Sequence, residues 1–210
     1  MEFRHLVESR VSVRQFTAER VPAADVKEMV RLAGLAPSPN NSQPWQFVAV
    51  TRPSLLQQMG AVVHAKVQEI LPDEGSEAAR HARQRVDWFS TFFVDAPLVI
   101  AVVLLPYDSV VEPALEGSRL TAAKINAMRG QPDIQSLGAA VEHLLLAATN
   151  LGYGGCWLSG PLVARPALER LLGIEAPGRL AAMVAIGKAA SATPAPRERK
   201  SLDEILRVVD

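Results

Sequence analysis

Apolar residues along the chain fall into two patterns, helical stripes and short unbroken runs. Residues 2–8 suit a short helix. Residues 23–35 place Val26, Met29, Val30 and Ala33 on one stripe behind Pro22 and end at Gly34, which predicts a helix. Residues 54–71 repeat the pattern with Leu55, Met59, Val62, Val63 and Ile70. Residues 74–94 read as a further helix with Trp88, Phe89, Phe92 and Phe93 at its end, and residues 162–172 and 201–208 as two more. The apolar runs at 45–50, 97–105, 155–158 and 180–187 predict strands, the β-branched run at 97–105 being central. Residues 137–151 are apolar nearly all round, which predicts a helix buried on most sides and shared with a subunit interface; Gly152 caps it. Residues 108–132 carry no clear pattern and are read as an insert or lid, and 189–199 as a Pro/Ala/Arg-rich linker.

Composition narrows the class. A chain of 210 residues that is 49% hydrophobic can bury a sizeable core. Its formal net charge of +0 gives no broad basic field for nucleic acid or an anionic membrane. The longest apolar run is about half a membrane span. The N-terminus has no apolar signal region, so a cytoplasmic location is expected. The single cysteine, Cys156, excludes an internal disulfide and an iron–sulfur cluster held by cysteines of one chain. Cys156 reads as a small buried residue in a strand.

Several familiar motifs fail on inspection. Gly187-Lys188 is no phosphate loop, because Ala182 stands where a glycine is needed. Gly152-Tyr-Gly-Gly-Cys-Trp is no dinucleotide fingerprint, and Ser159 sits in no nucleophile elbow; Trp157 replaces a required glycine in both. His5, His64, His81 and His143 lack metal-ligand spacing. His143 fits a core or interface position.

Four segments remain. Arg10-Val11-Ser12-Val13-Arg14-Gln15-Phe16 packs two guanidinium groups and a hydroxyl into five residues, with no acid between Glu8 and Glu19. Guanidinium forks match phosphate oxygens. Residues 36–45 (Ala-Pro-Ser-Pro-Asn-Asn-Ser-Gln-Pro-Trp) present short polar side chains on a loop held by prolines. Gly154-Gly155-Cys156-Trp157-Leu158-Ser159-Gly160-Pro161 ends a strand where backbone N–H groups can face a ligand. Arg197-Glu198-Arg199-Lys200 is a basic tail. Taken singly, each is also compatible with an ordinary turn or solvated stretch.

Together, in this order and spacing, the four resemble the FMN-dependent nitroreductase family. The loop at 36–45 is the most specific of them. The resemblance spans the chain except residues 60–95 and 108–132, and it implies the following. The fold is α+β, a central mixed β-sheet flanked by helices, in an intertwined homodimer. Residues 1–210 form one FMN-binding domain. Arg10, Ser12 and Arg14 hold the phosphate and ribityl chain, with Val11 contributing backbone. Arg199 reaches the same phosphate; Arg197 and Lys200 are secondary candidates. Pro37, Ser38, Pro39 and Asn41, with Gln43 beside them, approach from the partner subunit. Leu158, Ser159 and Gly160 line the ring. No residue is assigned as catalytic, since the flavin carries the chemistry. The implied activity is ping-pong transfer of hydride from NADH or NADPH through FMN to a nitro compound, quinone or activated alkene. Reductive dehalogenation, flavin fragmentation and non-catalytic FMN storage are the alternatives. No metal is implied.

Overall fold

The computed structural model describes residues 2–71, 74–107, 113–191 and 198–209. Strands β1 (Trp45–Val50), β2 (Leu98–Leu104), β3 (Gly154–Leu158) and β4 (Arg179–Gly187) form one sheet in the order β1-β2-β4-β3. All three pairings are antiparallel. Among the described residues the parallel component is a single bridge outside the named strands, Ser12 with Gly155. The mixed character expected of the sheet is therefore confined to its edge.

β2 is buried along its whole length, as its unbroken apolar run predicts. Alternation then sends its residues to two cores. Leu98, Ile100, Val102 and Leu104 face α2 (Ala23–Ala33) and α6 (Pro132–Asn150), meeting Met29, Val141 and Leu144. Val99 and Ala101 face α3 (Pro53–Ile70) and α7 (Arg165–Leu172), meeting Met59, Val63, Phe93 and Leu168. An irregularity between Val102 and Val103 pairs them with Ala182 and Leu180, leaving Ala181 as an extra residue. That bulge turns Leu180 into the second core while Ala182 stays in the first.

The remaining helices are α1 (Phe3–Ser9), α4 (Glu77–Thr91), α5 (Ala122–Met128) and α8 (Leu202–Ile205). Three expected helices are shorter than their patterns, and the 201–208 pattern keeps only α8 at Leu202–Ile205. α4 starts after Ser76, whose side chain accepts from the Ala79 N–H, and gives way to a 3-10 turn at Phe92–Asp95. The 162–172 segment divides into a 3-10 turn at Gly160–Ala164 and α7, with Pro166 near its start. α6 begins earlier than its apolar stripe, at Pro132, a favoured first-turn residue. α5 lies inside the stretch read as an insert. That stretch is tied back by Arg129 Nη1 donating to Tyr107 Oη (3.3 Å) and Asn126 Nδ2 donating to Asp133 Oδ1 (2.9 Å). Residues 108–112 of the expected lid, and 192–197 of the linker with Arg197, lie outside the described residues.

One polar clasp joins α2 to the turn after α6. The Tyr153 hydroxyl donates to Asp25 Oδ2 at 2.6 Å, and the Lys188 ammonium sits 4.4 Å from the Tyr153 ring centre. The bond to Asp25, then burial, then the charges of Asp25 and Glu19 push the Tyr153 phenol up to about 12. A folded-state value above the unfolded one stabilises the fold at pH below about 10. That contribution is lost as pH rises through about 12. Tyr153→Phe is expected to cost about 1.5–3 kcal/mol, the worth of a hydrogen bond to a charged group. Thermal melts at pH 7 and pH 11 check this: the variant should melt lower at pH 7, and the gap should narrow at pH 11.

Candidate functional site

Residues 10–14 run extended along the free edge of β3. The Val13 N–H donates to the Gly155 carbonyl at 3.0 Å. The Val13 side chain is buried at 4% exposure, against Gly154. A Cβ on Gly154 would stand 2.5 Å from Val13 Cγ2 and 2.6 Å from its Cβ, so a glycine is needed for this approach. With Val13 turned inward, period-two alternation puts Arg10, Ser12 and Arg14 together on the opposite side. The Cys156 thiol records that convergence. Burial raises its pKa, while Arg14, Ser12 and Arg10 each pull it down, Ser12 through a hydrogen bond, Arg10 through its charge and Arg14 through both. Cys156 is itself buried, as expected.

All three polar side chains of this group are half-buried, and Val11 is half-buried beside them. The Arg10 guanidinium has one weak ion pair, with Glu142 at 3.8 Å. Arg14 lies 5.5 Å from the Phe89 ring centre. Two guanidinium groups and a hydroxyl on one face have the chemistry to hold a phosphate.

β3 then runs to Leu158, Ser159 and Gly160. Leu158 is buried in the second core, so only its backbone can face a ligand. Ser159 is exposed and starts the 3-10 turn. Gly160 backs onto α4: a Cβ there would meet Ser90 Oγ at 2.7 Å. The last turn of α4 thus touches both ends of the group, Phe89 beside Arg14 and Ser90 beside Gly160. Sequence reading left these two residues unassigned. The aromatic run closing a helix, Trp88 to Phe93, is the signal that marks them.

The loop before β1 is built differently. It contains a 3-10 turn, Pro39–Asn41. Asn40, Asn41 and Gln43 all have positive φ, at 55°, 53° and 45°. Three non-glycine residues in that region store strain of about 1–3 kcal/mol each, a mark of functional loops. Ser38 Oγ accepts from the Gln43 N–H at 2.9 Å, and Gln43 Nε2 donates to the Asn41 carbonyl at 3.2 Å. Ser42 Oγ is buried with no partner among the described residues. Pro37, Asn41 and Gln43 are exposed.

Within one chain these halves do not meet. The loop leads into Trp45, opposite Leu104, on edge strand β1. Residues 10–14 lie on edge strand β3 at Gly155, in the row of Ile186 and Leu98. These are opposite corners of the sheet, about 14 Å apart across the strands and roughly 20 Å along them. Arg199 is exposed and has no ion pair among the described residues. Nor does any cluster of His, Cys, Asp and Glu suited to a metal occur among them. No helix there is long and apolar enough to cross a membrane.

Residues 7–188 match the family model described as the nitroreductase family. The chain belongs to that family. Nitroreductase-family structures share its architecture. A BluB-like flavoprotein from Clostridium difficile 630 is 32% identical, with full coverage of both chains and a TM-score of 0.88. A nitroreductase with bound FMN from Bacteroides fragilis shares the fold at 19% identity and a TM-score of 0.70, again with full coverage of both chains. Human iodotyrosine deiodinase 1 is 28% identical over 211 residues, 99% of this chain and 68% of the relative.

Proposed function

We propose that the chain is a single FMN-binding unit that works as a homodimer and passes hydride from NADH or NADPH, through the flavin, to a nitro compound, quinone or activated alkene. The observation that carries this reading is the alignment of Arg10, Ser12 and Arg14 on one face of a segment pinned to Gly155. Bound FMN supplies the redox chemistry. The chain's own residues bind and orient it. Arg10, Ser12 and Arg14 grip the phosphate, Val11 offers backbone, and Arg199 adds a cation from the tail. Backbone N–H groups at Leu158, Ser159 and Gly160 face the ring where β3 ends.

The separation of the two halves supports a site completed by a second copy. Pro37, Ser38, Pro39, Asn41 and Gln43 of one chain would close over the residues 10–14 of the other. The strained loop and the orphaned Ser42 hydroxyl suit such an interface. A shallow apolar groove of about 360 Å3 beside α6, with Phe3 and Leu35 exposed at its rim, suits burial between copies as well.

A second reading, reductive dehalogenation on the same flavin site, is favoured by the likeness to iodotyrosine deiodinases over 99% of this chain. Two measurements test the proposal. Protein incubated with FMN and desalted should hold about one flavin per chain; protein that stays colourless refutes the site. Anaerobically reduced protein should then be reoxidised by a nitroaromatic or quinone faster than by an iodotyrosine. The reverse order selects dehalogenation.

A further inference from the structure

A second cleft lies apart from the Arg10–Arg14 group. Its volume is about 630 Å3, within the range of small-molecule sites. Val26 and Pro97 contribute an apolar floor, and Arg20, Lys27, Arg52 and Thr51 a polar rim. Among the described residues no carboxylate lines it. Among the described residues none of the three cations is in an ion pair. Two of the nearest acids in sequence are engaged elsewhere: Asp25 accepts from Tyr153, and Glu28 is held by Arg31 at 2.7 Å.

The backbone adds to the same field. α2 and α3 both start at this cleft, which their first residues line. Their N-caps are Pro22 and Arg52, and neither supplies a side-chain cap. The positive ends of two helix dipoles therefore fall where three cations already gather. In a chain of net charge +0, this is a local concentration of like charge around an open volume. An anion offsets it.

We propose that this cleft is a second ligand site, distinct from the flavin site, for a small organic phosphate monoester. Its phosphate would sit among Arg20, Lys27, Arg52 and the two helix starts, and its apolar body would lie against Val26 and Pro97. Two guanidinium forks and an ammonium suit three terminal phosphate oxygens better than a flat carboxylate. The remaining volume leaves room for an organic body beyond the phosphate.

Calorimetric titration of phenyl phosphate into protein loaded with one FMN per chain tests this. The expected result is one site per chain, at least tenfold tighter than for inorganic phosphate or benzyl alcohol. The triple variant Arg20→Ser, Lys27→Ser, Arg52→Ser should weaken it at least tenfold with FMN content unchanged. Arg20→Gln alone, a milder change, should weaken it severalfold should the triple variant not fold. Arg14→Ala, kept saturated by excess FMN, should leave it unaltered. Absent binding, equal binding by the charge variants, or loss on Arg14→Ala overturns the proposal, the last by placing the probe at residues 10–14. Should the protein take up no FMN, the flavin reading fails alone, and the same titration on the flavin-free chain still decides this one.

Discussion

Arg14→Ala protein is expected to purify with little flavin and to bind added FMN about a hundredfold more weakly than the wild type. A hydrogen bond to a charged group contributes about 1.5–3 kcal/mol, and a guanidinium on a phosphate makes up to two. A net loss near 3 kcal/mol corresponds to roughly two decades in Kd. The fold should be nearly indifferent. Arg14 is half-buried, and its ring contact is with Phe89 at 5.5 Å. Such a contact contributes about 0.5–1 kcal/mol. Flavin content by absorbance and the melting temperature of the flavin-free protein separate the two effects. Full flavin content in the variant would remove Arg14 from the site.

Gly154→Ala is expected to lose both stability and flavin. The new Cβ would stand 2.5–3.0 Å from three atoms of Val13, one of them the Val13 Cβ, which cannot rotate away. Overpacking of this kind costs about 1–3 kcal/mol. The melting temperature should fall by roughly 3–10 °C in a chain of this size. The segment also carries Arg10, Ser12 and Arg14, so a shift of Val13 away from Gly155 misaligns the phosphate face. Val13→Ala in the same chain removes two of the three clashing atoms and should restore part of both losses. A stable, fully flavinated Gly154→Ala protein would show that residues 10–14 need not dock there.

Much of this was legible in the sequence because the governing signals are local. Apolar runs located all four strands, and the unbroken one at 97–105 was rightly central. Pro22 and Gly34 marked the ends of α2. The α+β fold with a helix-flanked sheet followed from the resemblance and holds. What escaped was set by tertiary contact or by short-range rules that override the stripe. α6 starts at Pro132 because a proline opens the helix before its apolar face begins. The 74–94 pattern breaks at Phe92, where Phe92 and Phe93 turn into the core. Phe89 and Ser90 gained their place only from packing beside Arg14 and Gly160. The Leu158 side chain is committed to the core, so its proposed place at the ring rests on its backbone. Arg199 carries no geometric link to residues 10–14, and its role rests on the resemblance.

The proposed flavin site is built from two chains, with residues 10–14 from one and the 37–43 loop from the other. Mixed dimers test it most directly. One differently tagged chain carries Arg14→Ala and the other Ser38→Trp, which blocks the loop; the two are co-expressed and the mixed species is isolated by sequential affinity steps. Each variant alone should hold little FMN. The mixed dimer contains one intact pairing and should hold about one FMN per dimer. A mixed dimer with no more flavin than the average of its parents would contradict the shared site.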